Sequence, residues 1–188
     1  MPERAYKGAP SARQRLRDII RARSLLTSGT FTLASGRSSR MFFDMKPTML
    51  DPEGANLIAD AVLDRLEGQE LEAVGGLVMG AVPIVAVVCA KSFVRGRPLM
   101  GFFVRKETKD HGTARLIDGN LAPGARAAIL EDVTTTGGSA LRAIEAVRSA
   151  GAAVVKVISL VDRQEGATDT FGAHGLPFEA VFTRDDFV

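Results

Sequence analysis

The chain is predicted to fold as an α/β protein around a parallel sheet, and three observations carry that expectation. Short apolar or β-branched runs recur at Val74 to Met79, Leu99 to Val104, Ala127 to Leu130 and Val154 to Val161. Between them lie segments with helical character: Ile84 to Ser92, and a run with Leu141, Ile144 and Val147 at helical spacing. Strands that alternate with helices pair in parallel, because each parallel connection needs a crossover. The third observation is size: 188 residues, 46% of them hydrophobic, suit one domain with one sizeable core.

In chain order, residues 11 to 27 read as an amphipathic helix with Leu16, Ile19, Ile20 and Leu26 on its stripe, stopped near Ser28-Gly29. Phe31-Thr32-Leu33 and Met41-Phe42-Phe43-Asp44 read as short strands around the turn-rich Ser35-Gly36-Arg37-Ser38-Ser39. Asp51-Pro52-Glu53 is a helix start: an Asp cap, Pro at the first helical position, then an acid. Ile58, Val62 and Leu66 carry that helix to Gly68. Gly80-Ala81-Val82-Pro83 is a tight loop, and Arg105 to Gly119 a polar, charged one. The helix through Leu141 stops at Gly151. Loops 79–83, 105–115, 132–139 and 162–166 then fall at the carboxyl ends of strands, where ligands bind in such sheets. No repeat, low-complexity tract or linker divides the chain.

A net charge of +2 gives no argument for nucleic acid or an anionic membrane, and neither partner is expected. The N-terminus is more basic: Arg4, Lys7, Arg13, Arg15, Arg17, Arg21 and Arg23 face only Glu3 and Asp18. An organelle-targeting peptide has such a charge, but the apolar stripe places this segment in the fold. One cysteine, Cys89, rules out an internal disulfide and suits a reducing compartment, so a cytoplasmic location is expected. His111 and His174 are the only histidines and lie far apart, which argues against a Cys/His metal site. Residues 73–90 lack charges, yet Gly75, Gly76, Gly80 and Pro83 break them up, so a buried strand, turn and helix are expected there.

The chemistry concentrates in Ile129 to Ser139, ILEDVTTTGGS. An apolar strand runs into two carboxylates, Glu131 and Asp132, then Val133, Thr134, Thr135, Thr136, Gly137, Gly138 and Ser139, then a helix. Free N–H groups at a helix N-terminus, hydroxyl donors and the helix dipole together bind a phosphate. Carboxylates just before the loop suit ribose hydroxyls or a metal-bound water. The site expected is one for a phosphorylated sugar. No Lys follows the glycines, which excludes a Walker loop. A second cluster, Arg105-Lys106-Glu107-Thr108-Lys109-Asp110-His111-Gly112, packs three cations and a histidine after a strand. Alone this run reads equally as a solvated charged loop or as a mobile cationic lid. Beside a phosphate cradle the lid is favoured, since it could close over an anion and stabilise developing charge.

The run from Ile129 to Ser139 resembles the phosphoribosyl-pyrophosphate (PRPP) signature of type I phosphoribosyltransferases. FVRKETKDHGT resembles the catalytic loop of orotate phosphoribosyltransferases, Phe31 to Arg37 with Phe42-Phe43 their N-terminal segment, and Asp162-Arg163-Gln164-Glu165 their D-R-x-E segment. The resemblance covers roughly residues 11 to 166. It implies a parallel-sheet type I phosphoribosyltransferase fold, with a small N-terminal hood over the base site at about 11–45 and a core at about 50–166. It implies transfer of phosphoribosyl from PRPP to orotate with Mg²⁺, held mainly by substrate and water, in pyrimidine (UMP) biosynthesis. By position, Thr134 to Ser139 would hold the 5′-phosphate, and Glu131 and Asp132 the ribose. Arg105, Lys106, Lys109 and His111 would engage pyrophosphate; Phe42, Phe43, Thr135 and Arg163 would meet orotate. Lys109, His111 and Asp132 are the catalytic candidates, and a homodimer with lid residues shared across subunits is implied. Ala34, Met79 and Gly80 depart from the family pattern, where Lys, Tyr and Lys are common. Ala34 keeps a transferase for another base in view, and the basic N-terminus on a fold that some regulators share keeps a PRPP-binding regulator without catalysis in view.

Overall fold

The computed structural model of the chain describes residues 11–29, 31–32, 38–107 and 116–188. Helix α1, Ala12–Arg23, opens on a capping box in which the Ser11 hydroxyl accepts the Gln14 N–H and Gln14 Oε1 accepts the Ser11 N–H. It ends earlier than the stripe predicts. Ser24 is buried against Thr48, their hydroxyls 2.7 Å apart, and Leu25–Leu26 turns into strand β1. Strands β2, Phe31–Thr32, and β3, Ser38–Ser39, pair antiparallel; β4, Phe42–Phe43, pairs antiparallel with β1. These two-residue strands form a small hood. The basic N-terminal helix is tied to its own protein: Arg13 to Asp186 at 2.9 Å, Arg15 to Glu53 at 2.6 Å and Arg23 to Asp51 at 3.0 Å.

A short helix, α2, Lys46–Met49, leads to α3, Pro52–Arg65, where the Asp51 carboxylate caps the Gly54 N–H at 2.8 Å as expected. Then come β5, Ala73–Leu77; α4, Ala81–Val94; β6, Met100–Val104; β7, Ile117–Gly119; β8, Arg126–Thr134; α5, Gly138–Ser149; and β9, Ala153–Asp162. Past residue 166 the chain adds α6, Ala167–Ala173, β10, Phe178–Thr183, and a 3-10 helix, Arg184–Phe187. Helix α4 begins before Pro83, because a first-turn residue has no helical partner for the N–H that proline lacks.

Six strands form one sheet in the order β10-β9-β8-β5-β6-β7. All neighbours run parallel except β6 and β7, where Val104 opposes Ile117 in an antiparallel pair. Helices α1, α3 and α4 cover one face, with Leu16, Ile58, Val62, Ile84, Val88 and Leu130 packed together. Helices α5 and α6 cover the other, around Ile129, Ile144, Val147 and Phe171. Each such fully buried side chain contributes about 1.5–3 kcal/mol of burial free energy. The three layers leave the carboxyl ends of β5, β8 and β9 together on one rim, with β8 at the centre of the sheet.

Candidate active site

Strand β8 runs further than its apolar stretch predicts. Glu131 still pairs with Ser159 and Thr134 with Asp162, so the acid pair sits inside the ladder. Strand alternation then splits the pair. Glu131 lines a cavity of about 190 Å³ together with residues 133–139, on the α5 side. Asp132 faces the loop before α4: a Cβ on Gly80 would lie 2.4 Å from Asp132 Oδ1, so a side chain there would displace that carboxylate.

The cavity has the makings of an anion cradle. Gly137 has φ +88°, and a Cβ on it would lie 2.9 Å from the Phe171 ring. Helix α5 starts after it with no side-chain cap, which leaves its first N–H groups for a ligand. The Thr134 hydroxyl is buried and has no hydrogen-bond partner among the described residues. Glu131 is 8% exposed. Burial, with the neighbouring Asp132 charge, pushes it up to about 8. Burial raises Asp132 too, opposed by the Val133 N–H at 2.8 Å and by the charge of Lys46. Burial likewise raises Asp162 at the end of β9, opposed by the Gln164 N–H at 2.8 Å.

Beyond β6, the Arg105 guanidinium binds Asp118 of β7 through Nε and a terminal nitrogen. The Lys106 carbonyl accepts from Arg142 of α5 at 3.0 Å, while the Lys106 side chain is exposed. On the hood, Phe42 stacks on Phe31 with ring centroids 5.4 Å apart. Phe43 turns the other way. It is 4% exposed and meets Phe187 edge-on at 5.1 Å. Arg163, at the seam of hood and sheet, hydrogen-bonds to Met41 O, Ser39 Oγ and Glu165 Oε1.

No family model matches the chain. It is 50% identical over 182 residues to the orotate phosphoribosyltransferase of Bradyrhizobium diazoefficiens, an alignment spanning 95% of this chain and 97% of that protein. The chain belongs to the orotate phosphoribosyltransferase family. The crystal structure of Mycobacterium tuberculosis orotate phosphoribosyltransferase in complex with Fe(III) dicitrate matches it at a TM-score of 0.82 and 35% identity, covering 94% of this chain and 98% of that one. The structure of that enzyme in complex with PRPP matches at a TM-score of 0.79 and 32% identity, again covering 94% and 98%. The fold is therefore the type I phosphoribosyltransferase fold expected from the resemblance.

Within the orotate phosphoribosyltransferase frame, the expected residues separate into groups. Glu131, Val133, Thr134, Thr135, Thr136, Gly137, Gly138 and Ser139 line one cavity. Asp132 lies on the neighbouring side of β8, and Arg105 is held on the sheet edge by β7. Phe42 and Phe43 do not line one pocket as a pair, because successive strand residues point to opposite faces, and Phe43 belongs to the core. Lys109, His111 and the departure at Ala34 lie outside the described residues. Sequence reasoning missed Asp44 and Lys46, whose side chains pair at 2.7 Å. The Asp44 hydrogen bond raises the Lys46 ammonium, and the Asp132 charge adds to that. The signal was present: an acid and a base two residues apart at a helix start, directly after the hood.

Proposed function

We propose that the chain transfers the 5-phosphoribosyl group of PRPP to N1 of orotate, giving orotidine 5′-monophosphate and pyrophosphate, a step of pyrimidine (UMP) biosynthesis. The observation that carries this reading is the uncapped N-terminus of α5 opening on a cavity with Glu131 beneath it, in a chain of this family. Thr134 to Ser139 bind the 5′-phosphate. Glu131 and Asp132 take the ribose hydroxyls from the two sides of β8. Arg105, Lys106, Lys109 and His111 engage the pyrophosphate, with His111 as a proton donor to it. Phe42 and Thr135 lie toward the base, and Phe43 supports the hood from below. Charge develops on the leaving pyrophosphate while the anomeric carbon gains oxocarbenium character. No protein nucleophile is required, and catalysis rests on positioning and on neutralising the leaving group.

Mg²⁺ is the proposed cofactor. Glu131 and Asp132 are hard oxygen groups that fit an ion held mainly by substrate and water, reached through ribose hydroxyls or bound water. When bound, the ion would neutralise pyrophosphate charge. The 188 residues act in this reading as one phosphoribosyltransferase domain, in a homodimer whose subunits share lid residues, in the cytoplasm. Among the described residues, no helix is long and apolar enough to cross a membrane.

The test is the ultraviolet absorbance of orotate with PRPP, Mg²⁺ and the protein, with and without EDTA. A fall that needs both PRPP and metal is expected. No fall with PRPP still bound would overturn orotate as acceptor and direct the assay to other bases. In the same assay Lys109→Ala is expected to lower kcat by about 10²–10³, the cost of one transition-state contact. Normal turnover would remove Lys109 from its role.

A further inference from the structure

The hood is too small to hold itself in place: strand pairs of two residues are not stable on their own. One residue from the far end of the chain fastens it. Arg163 is 3% exposed and lies just past β9. Its Nη1 donates to Met41 O at 2.9 Å, its Nη2 to Ser39 Oγ at 3.0 Å and its Nε to Glu165 Oε1 at 2.9 Å. Ser39 Oγ also donates to Met41 O at 2.8 Å and accepts the Met41 N–H at 3.1 Å. That hydroxyl therefore has its donor and both lone pairs engaged. The backbone of the same residue points the other way: the Arg163 N–H donates to Thr134 O at 2.9 Å. Thr134 is part of the phosphate cradle.

We propose that Arg163 is a positioning residue that joins the phosphate cradle to the hood, so that filling the cradle orders the hood over the base. The main-chain bond reads the state of Thr134, and the guanidinium passes it to the turn between β3 and β4. A guanidinium has five N–H donors, and three are engaged here, which leaves two. Glu165 Oε2 is also buried without a partner among the described residues. The inference rests on the proposed function only in taking the hood as the cover of the base site.

The experiment is hydrogen exchange at the amides of residues 38–43, with and without PRPP, in the wild type, Ser39→Ala and Arg163→Lys. Orotate KM and kcat are measured on the same proteins. In the wild type PRPP should slow exchange at these amides. Ser39→Ala should abolish that slowing and raise orotate KM about tenfold, the worth of one hydrogen bond to a charged group, with kcat within about twofold. Arg163→Lys keeps the charge but not the fork, and should abolish the slowing of exchange as Ser39→Ala does. Should Arg163→Lys fail to fold, Ser39→Ala on the hood still decides. Hood exchange indifferent to PRPP in the wild type, or Ser39→Ala matching the wild type in both exchange and KM, would overturn the proposal. A wild type with PRPP-sensitive exchange and no orotate turnover would overturn the substrate assignment and leave the strut standing.

Discussion

The proposed phosphate cradle and the hood are built in opposite ways. The proposed cradle is one short stretch, Glu131 with residues 133–139, hung between the central strand and a helix, and the free N–H groups at its helix end are backbone. The hood is gathered from Leu25–Leu26, Phe31–Thr32, Ser38–Ser39 and Phe42–Phe43, and held by a guanidinium 122 residues away from Met41. Backbone groups at a helix end are set by the helix itself, so the cradle's donors are local in sequence even though Phe171 lies against Gly137. Side-chain bonds between distant segments need the whole fold first, so the hood depends on everything beneath it.

Five substitutions test that contrast. Phe43→Ala should cost about 3–5 kcal/mol of stability, as for a core Phe, and leave orotate KM alone in the folded fraction. Phe42→Ala should do the reverse. Equal effects on KM would put both rings in one pocket. Glu131 comes next. The folded chain holds this proton up to about 8, whereas the ordinary value is 4.5. Between those values the folded state binds a proton that the unfolded state has lost. Stability is therefore fully present below the lower value and declines as pH rises toward the upper one. Glu131→Gln should remove a decline of roughly 3–4 kcal/mol between about pH 5 and pH 8, read from urea midpoints. An unchanged slope would mean that the carboxyl is not held protonated. Gly137→Ala forces a side chain into left-handed backbone and against Phe171. A loss of roughly 2–4 kcal/mol and of PRPP affinity is expected, with hood exchange unchanged in the free protein. Lys46→Ala is the smallest: at most about fivefold weaker PRPP binding, vanishing at high salt, because the ammonium is exposed. A salt-independent loss would make Lys46 a direct ligand.

The same contrast explains what was legible in the sequence. Strand, acids, threonines, glycines and helix follow one another from Ile129 to Ser139, so the cradle could be read without any distant contact. The Asp51-Pro52 helix start was equally local. The hood strands were only half visible, since two-residue strands carry no periodicity, and Leu25–Leu26 looked like the last turn of α1 until its pairing with Phe42–Phe43 was known. Strand β7 was hidden because Asp118 and Gly119 are poor strand formers, placed there by their pairing with Phe103 and Phe102. Phe43 was misplaced because two adjacent aromatics look alike in sequence, and only burial tells which ring faces inward. The link from Arg163 to Thr134 and Ser39 joins three segments and could not have been read from any one of them.

The floor beneath the cradle has a consequence for how the protein comes to exist. The ring that Gly137 leaves room for belongs to Phe171, in α6, well downstream of the signature itself. A ribosome releases the chain from its N-terminus at roughly 5–20 residues per second. A nascent chain that has exposed everything through Ser139 already carries all the groups of the phosphate loop, yet lacks the surface they rest on. Substrate can brace the newborn fold only after α6 has left the exit tunnel.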